Sequence, residues 1–489
     1  MNTADIIAIN FKNNEWGSEK STPPDNLIVP VYRIFPHNDD YKILFQPNTL
    51  NIYLIKNDAI DVLEKLSKNG NSDFDSNLIS KFINCALVTT KNDEISNSKV
   101  DDKIINKHSK KLFLHVSHNC NLGCPYCYAE GGDYGRNKQM MSLKTAFDSI
   151  NYTMQKDPDL KEISIDFFGG EPLLNFQVIE QFIESVELKY LSVKFKYGIV
   201  TNGTVMNDKI KNMMKKHQFH VMITIDGPKE YHDLQRVYAN GKGSFDELVK
   251  NLPDFKESAN YLCARVVYGR KNNNLYKIFK YIYEELDIHD ISYRPVMTDL
   301  EEYKLDAESE NFAIESLIKS FDYFLEKKLD GKEIESKFFS EQILKLMDRK
   351  IKKSFCDFGN FMSITPEGNM YPCTHFVYND KFEIGNIYKI SENTDVLKNC
   401  KKSSCAKYEP CKSCWILGLC SGGCKGSAAF YNKDNLFIND EYCKTRMAIV
   451  ERAIKTIVQS HENNNLEKLK QSLIKDKDET TEMSPNRWR

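Results

Sequence analysis

The residues of this chain best suited to chemistry are its cysteines. Three of the 14 fall within residues 120–127, as Cys120-x3-Cys124-x2-Cys127 in the segment HNCNLGCPYCYAEGGDYG. Three thiolates on one loop can ligate three irons of a cubane cluster and leave the fourth iron open to a further ligand. The same three can instead belong to a zinc knuckle completed by a fourth ligand from elsewhere. Nine more cysteines lie between 356 and 443. Cys356 is followed by Gly368-x4-Cys373, then by Cys411-x2-Cys414-x5-Cys420-x3-Cys424, and last by Cys443; Cys400 and Cys405 fall between. Cys85 and Cys263 stand apart and read as buried thiols in apolar segments.

Ligand loops need rigid elements behind them. Strand-like runs lie at 111–117, 162–168, 195–201, 220–226, 262–268 and 291–297, with helical periods at 142–155, 176–190, 207–217, 245–256 and 274–287. Strands alternating with helices predict parallel βα units. A closed eight-unit barrel takes roughly 250 residues, so six units over 111–310 predict an α/β fold with a partial (β/α)6 barrel. Functional groups then belong at the carboxyl ends of the strands. The cysteine loop follows the first strand, and Gly169-Gly170-Glu171-Pro172 follows the second. Thr201-Asn202-Gly203 ends the third, and Thr224-Ile225-Asp226-Gly227-Pro228 ends the fourth. Their polar side chains suit hydroxyl and carboxylate groups of a ligand, although Asn-Gly and Asp-Gly also serve as plain turns.

Around this core, residues 1–27 read as a flexible leader and 28–90 as a small α+β module of strands followed by two helices. The charged stretch 91–110 reads as a linker, 311–354 as a helical bridge, 355–445 as a region that needs metal to fold, and 446–489 as a terminal helix and tail. A formal net charge of -2 gives no reason to expect nucleic acid or an anionic membrane as partner. No apolar run is long enough to span a bilayer, and the polar start lacks the hydrophobic stretch of a signal peptide. The expected location is therefore cytoplasmic, where close-spaced cysteines serve as metal ligands rather than as disulfides.

The Cys120 motif, the aromatic Tyr126 before its third cysteine and the Gly-Gly-Glu-Pro segment together resemble the radical S-adenosylmethionine (SAM) superfamily. The resemblance sets the zinc reading aside. It implies a [4Fe–4S] cluster on Cys120, Cys124 and Cys127 whose open iron takes the amino and carboxylate groups of SAM. It further implies Tyr126 by the adenine and Gly169, Gly170 and Glu171 at the methionine amino group. Asn202, Thr224 and Asp226 become candidates for the ribose or carboxylate. Arg236, in HDLQRVYANGKGSF, resembles a shared segment and is a candidate for a carboxylate, with a salt bridge as the competing use.

The carboxyl-terminal cysteines resemble the SPASM domain, which carries two auxiliary iron–sulfur clusters, expected here as [4Fe–4S]. That pattern implies Cys411, Cys414, Cys420 and Cys443 on the distal cluster and Cys356, Cys373 and Cys424 on the nearer one. The nearer cluster is then completed by Cys400 or Cys405, or keeps an open iron where a substrate cysteine could bind. Residues 28–90 resemble, in order and size, the winged-helix-like domain by which peptide maturases hold a leader peptide. The segment Cys127–Gly135 resembles maturases that install cysteine thioethers, the sactipeptide and ranthipeptide type. The expected enzyme takes a precursor peptide with a leader and a cysteine-containing core, and draws electrons from a donor such as flavodoxin or ferredoxin. Carbon–carbon crosslinking of a peptide and formylglycine formation in a sulfatase are the competing activities.

Overall fold

The fold is organised around one sheet in which residues 109–295 contribute a run of six parallel strands. A computed structural model describes residues 6–9, 27–69, 76–90, 99–100, 108–351, 358, 360–389, 393–402, 409–432 and 440–474. The parallel strands are β1 (Ser109–His118), β2 (Glu162–Gly169), β3 (Lys194–Thr201), β4 (His220–Thr224), β5 (Tyr261–Tyr268) and β6 (Asp290–Pro295), adjacent in that order. Each falls on a run legible as a strand in the sequence. The connections carry α1 (Leu143–Lys156), α2 (Phe176–Lys189), α3 (Asp208–Lys216), α4 (Phe245–Ser258) and α5 (Leu275–Lys280), with α6 (Ala307–Leu329) following β6. Leu112, Leu114, Ile163, Ile165, Ile199, Val221, Ile223, Ala264 and Val266 are fully buried. They share one core with the apolar side of the helices, including Ile150, Phe182, Ile183, Leu248 and Phe255. Burial on both faces is why these strands read as near-continuous apolar runs.

The cysteine-rich region contributes to the same sheet, which its sequence did not disclose. Phe361–Ile364 pairs in parallel with β1 on the side away from β2. Asn369–Tyr371 and Gly385–Asn386 then continue outward as antiparallel strands.

The amino-terminal module is a four-stranded antiparallel sheet in the order Ile6–Ala8, Asn51–Lys56, Tyr41–Gln46, Arg33–Pro36. Ile6–Ala8 forms a strand within the segment 1–27 expected as a flexible leader, because successive apolar residues there find a sheet edge to pair with; residues 10–26 lie outside the described residues. Tyr41–Gln46 and Asn51–Lys56 are joined by a turn at Pro47–Leu50, where Leu50 takes φ 58°. One face, with Leu44, Tyr53 and Ile55, is covered by helices Asn57–Asn69 and Ser76–Asn84. The opposite face, with Phe35, Ile43 and Phe45, merges with the main core. Trp415, beside Cys414, meets the rings of Phe35 and Phe45 edge-on at 5.4 and 6.0 Å. Within the expected linker, Lys99–Val100 pairs in parallel with Lys350–Ile351. Among the described residues, no helix is long and apolar enough to cross a membrane.

Candidate functional site

The site forms where the loops at the carboxyl ends of β1 to β4 converge. The loop after β1 lies directly on the end of β2, and glycine makes this possible. Gly170 N donates to Ser117 O at 2.7 Å and Glu171 N to Asn119 O at 2.9 Å. A Cβ on Gly170 would stand 2.4 Å from Asn119 O, and one on Gly169 would stand 2.1 Å from Ser117 O. Gly169 also holds φ +128°, a conformation L side chains avoid. The glycine pair is thus needed for backbone to meet backbone.

Glu171 is fully buried, and its carboxylate accepts from Leu173 N at 3.0 Å, Thr201 Oγ1 at 2.9 Å and Asn202 N at 2.8 Å. Burial pushes its pKa up to about 7 against these three donors. The side chain fastens the end of β2 to the end of β3, and most of its acceptor capacity is already used. Asn202 Nδ2 donates to Asn121 Oδ1 at 2.9 Å and lies 3.7 Å from Cys120 Sγ. Asn121 Nδ2 donates in turn to Thr204 Oγ1 at 2.7 Å. The end of β3 therefore orients the cysteine loop. Thr224 Oγ1 donates to Thr201 O at 2.9 Å, locking β4 to β3.

Asp226 and Arg236 meet each other. Arg236 Nε donates to Asp226 Oδ2 at 2.6 Å, and the Tyr126 hydroxyl donates to the same oxygen at 3.1 Å. Gln235 Nε2 and Val267 N donate to the carboxylate at 2.8 Å each, and Arg236 Nη2 donates to Oδ1 at 3.4 Å. The guanidinium lies 5.7 Å from the centre of the Tyr126 ring. The salt-bridge alternative for Arg236 thus describes its side chain, with the difference that the pair is buried. Sequence reasoning missed the support beneath it. Asp226 N donates to His232 Nδ1 at 3.3 Å, His232 Nε2 lies 3.1 Å from Ser244 Oγ, and Ser244 Oγ donates to Arg236 O at 2.8 Å. The signal was a His and a Ser flanking the Arg236 segment. Gly123 N donates to Val237 O at 2.7 Å, so this segment also grips the cysteine loop.

Burial first, with the neighbouring thiols Cys124 and Cys127 among the later causes, opposes ionisation of Cys120, and burial with Cys127 among the later causes opposes that of Cys124. Burial pushes the Cys120 thiol up to about 12 and that of Cys124 to about 11. Thiolates this costly form only beside a metal's charge. Among the described residues, no three His, Cys, Asp or Glu side chains converge on a point that one metal ion could occupy. A cubane spreads its thiolates over separate irons, and the soft three-thiol donor set on one loop fits it. When bound, the reduced cluster and SAM supply the 5′-deoxyadenosyl radical; the chain's part is to hold, orient and enclose them.

The second cysteine region adjoins this loop. Tyr128, next to Cys127, has its ring centre 4.8 Å from that of His375, and burial, then Cys127 and Cys373, raises its pKa. Cys373 and the buried Cys400 pack in one apolar cluster with Phe358 and Phe376. Burial, and after it the nearby Cys420, raises the pKa of Cys414. Ser421, Gly422 and Gly423 all take positive φ between Cys420 and Cys424, and both those thiols bear on the buried Tyr442 beside Cys443. Cys356 and Cys405 lie outside the described residues.

Residues 114–280 match the family model of the Radical SAM superfamily. The chain is a radical SAM enzyme. It is 28% identical over 373 residues to a cysteine-type anaerobic sulfatase-maturating enzyme of Clostridium novyi, across 71% of this chain and 96% of that protein. It is 25% identical over 369 residues to the radical SAM cyclopropyl synthase TigE of Paramaledivibacter caminithermalis, across 71% of this chain and 74% of that protein. The solved structure of anSMEcpe with bound AdoMet superimposes with a TM-score of 0.63 at 23% identity, over 75% of this chain and 98% of that one. The radical SAM α/β fold is common to both.

Proposed function

We propose that this radical SAM enzyme is a peptide maturase that installs thioether crosslinks from cysteine sulfur to carbon in a ribosomally made precursor. The observation that carries this reading is the contact of Tyr128 with His375, which sets the Cys127 loop and the Cys373 region against one buried wall. A radical formed at the first and a thiolate held at the second would then share one chamber. Each bridge would replace one C–H and one S–H bond by a C–S bond: the hydrogen atom from carbon would leave in 5′-deoxyadenosine, the thiol proton would pass to solvent and the remaining electron to the nearer auxiliary cluster, a net loss of two hydrogens from the peptide. Gly169 and Gly170 would offer main-chain groups to the methionine amino group, since Glu171 is engaged internally. Tyr126, held by Asp226 and Arg236, would flank the adenine. Cys356, Cys373 and Cys424 would hold the nearer auxiliary cluster and Cys411, Cys414, Cys420 and Cys443 the distal one. The sheet module within 28–90, packed on Trp415, would hold the leader.

A second reading, formylglycine formation in a sulfatase, is favoured by the sulfatase-maturating relative aligned over 96% of its length. Anaerobic co-expression with a cysteine-containing precursor encoded beside the gene separates the two. Thioether formation gives a loss of two hydrogens per bridge, with cysteines that refuse alkylation after treatment with reductant. A peptide that stays fully alkylated, made beside enzyme that cleaves SAM, contradicts it, and an aldehyde at the target residue of a sulfatase peptide would favour the second reading.

A further inference from the structure

β5 and β6 each turn an arginine toward the site. Side chains alternate along a strand. Ala264, Val266, Ile291 and Tyr293 belong to the main core, whereas Val267 and Val296 pack with Tyr126 and Tyr303 beside Cys124. Arg265 and Arg294 fall in step with the second pair, so both lie on the face that carries the site. Arg265 stands opposite Ser292 and Arg294 opposite Val267, which makes the two arginines diagonal neighbours on adjacent strands. Burial first, then Arg294, holds the pKa of Arg265 down.

The same face of these strands supplies one carboxylate. Asp290 stands opposite Cys263, accepts the hydroxyl of Tyr261 and bears on Arg265. It lies four residues before Arg294, about 13 Å back along the strand. Among the described residues, no carboxylate meets Arg294 at ion-pair distance. Two half-buried cations thus face one anion, and a charge withdrawn from water needs a well-placed partner. The second cysteine region closes over this face. A Cβ on Gly426, in the helix Lys425–Asn432, would stand 2.5 Å from His375 Cβ, and Tyr431 of that helix donates to Val296 O at 3.1 Å. Burial, then Arg294 and Arg265, disfavours protonation of the His375 ring, which places the ring beside both arginines. Its Nδ1 is buried and has no hydrogen-bond partner among the described residues.

We propose that Arg265 and Arg294 form the binding site for a carboxylate of the substrate peptide, supplied by an acidic side chain or by the carboxyl terminus. A guanidinium presents paired N–H donors that match the two oxygens of a carboxylate. The neutral His375 ring would add a donor through Nδ1. His375 also meets Tyr128 of the cysteine loop, so the bound carboxylate would set which carbon of the peptide stands near the radical. That the carboxylate belongs to a peptide rests on the maturase reading; the excess of positive charge does not.

The test uses reconstituted, unreduced enzyme with SAM bound and three pentapeptides: Ala-Ala-Asp-Ala-Ala blocked at both ends, its Asn counterpart, and the Asn peptide with a free carboxyl terminus. Isothermal titration calorimetry should show one or both charged peptides bound about tenfold or more tighter than the neutral one. Which one is bound identifies the source of the carboxylate. Arg294→Gln should lose that preference, and Arg294→Lys should retain part of it. The Gln variant should also unfold at a higher denaturant concentration than the unaltered chain, because it removes repulsion from Arg265. A lower midpoint would show a structural partner for Arg294 and would count against the proposal. SAM should bind the Gln variant within about twofold of its affinity for the unaltered chain. Equal binding of all three peptides, binding of none, or a preference kept by Arg294→Gln overturns the proposal. A loss of SAM affinity of about tenfold would do so too, by assigning the arginine to the cofactor. So would a shifted reduction potential of an auxiliary cluster with the peptide preference unchanged, by assigning it to the cluster. None of these measurements forms a crosslink, so a missing preference leaves the maturase reading standing, and failure to crosslink leaves the binding results standing.

Discussion

Arg236 and Asp226 form a buried ion pair at 2.6 Å, and the Tyr126 hydroxyl shares the carboxylate oxygen that Arg236 Nε holds. Asp226 is fully buried, and its carboxylate accepts from four residues, Tyr126, Gln235, Arg236 and Val267. The pair thus fixes the aromatic residue between Cys124 and Cys127 from below. Removing one partner of a buried pair leaves the other charge uncompensated, at a cost of about 3–5 kcal/mol. Arg236→Met should lose about that much stability in denaturant titration. A loss below about 1 kcal/mol would show that the pair does not organise the loop.

The meeting of two backbones at Gly170 gives a sharper geometric test. Gly170→Ala places a Cβ 2.4 Å from Asn119 O, so the cysteine loop must move. The variant should fold, because the strands lie below the clash, but should retain less iron per chain after anaerobic reconstitution. Gly131→Ala is the control, since nothing stands within 4 Å of the added carbon. It should keep its iron and lose only about 1–2 kcal/mol for its positive φ. Equal iron in both variants would contradict the account.

Much of this architecture was legible in the sequence, for a definite reason. β1 to β6 are buried on both faces, so each reads as an apolar run, and the strand ends carry Cys120, Gly170, Asn202 and Asp226 at the spacing the topology requires. Residue types alone could not distinguish a side chain that faces a ligand from one that faces its neighbour. Glu171, Thr224, Asp226 and Arg236 were all read toward the cofactor, and all four are engaged by internal partners. Partnering of this kind is set by long-range contacts, as between Tyr126 and Asp226. The strand Phe361–Ile364 was missed because it is short and pairs with a segment more than 240 residues earlier in the chain. Ile6–Ala8 was missed because a three-residue strand carries too little pattern.

Cys400 is buried in the apolar cluster that also takes in Cys373, so on the proposed function it is the cysteine that would complete the nearer auxiliary cluster. If it is a ligand, Cys400→Ser should yield about one iron fewer per chain and an altered spectrum of the reduced auxiliary centre, while Cys405→Ser leaves both unchanged. Full iron and an unchanged spectrum in Cys400→Ser would exclude it as a ligand and restore the open-iron alternative.

His232 links the Asp226 pair to pH. Burial holds its pKa down at about 4, against 6.5 for the free side chain. The unfolded chain therefore takes up the proton first as pH falls. The stability of the neutral ring is fully present above 6.5 and is lost across the window from 6.5 to 4. Glutamine does not titrate, so the stability difference between the unaltered chain and His232→Gln should narrow by about 1.4 kcal/mol per pH unit below 6.5. Denaturant midpoints at pH 7.5, 6 and 5 measure it, and a constant difference would show that the ring is not buried neutral.

On the proposed function, the radical formed at the Cys120 loop takes hydrogen from a peptide held against the Cys373 wall. Reduced, reconstituted enzyme should be incubated with SAM and a precursor peptide deuterated at carbon, and both products examined by mass spectrometry. The expected product is 5′-deoxyadenosine carrying one deuterium, with one carbon-bound deuterium and one thiol hydrogen lost from the peptide for each thioether formed. Unlabelled 5′-deoxyadenosine beside an unchanged peptide would contradict it.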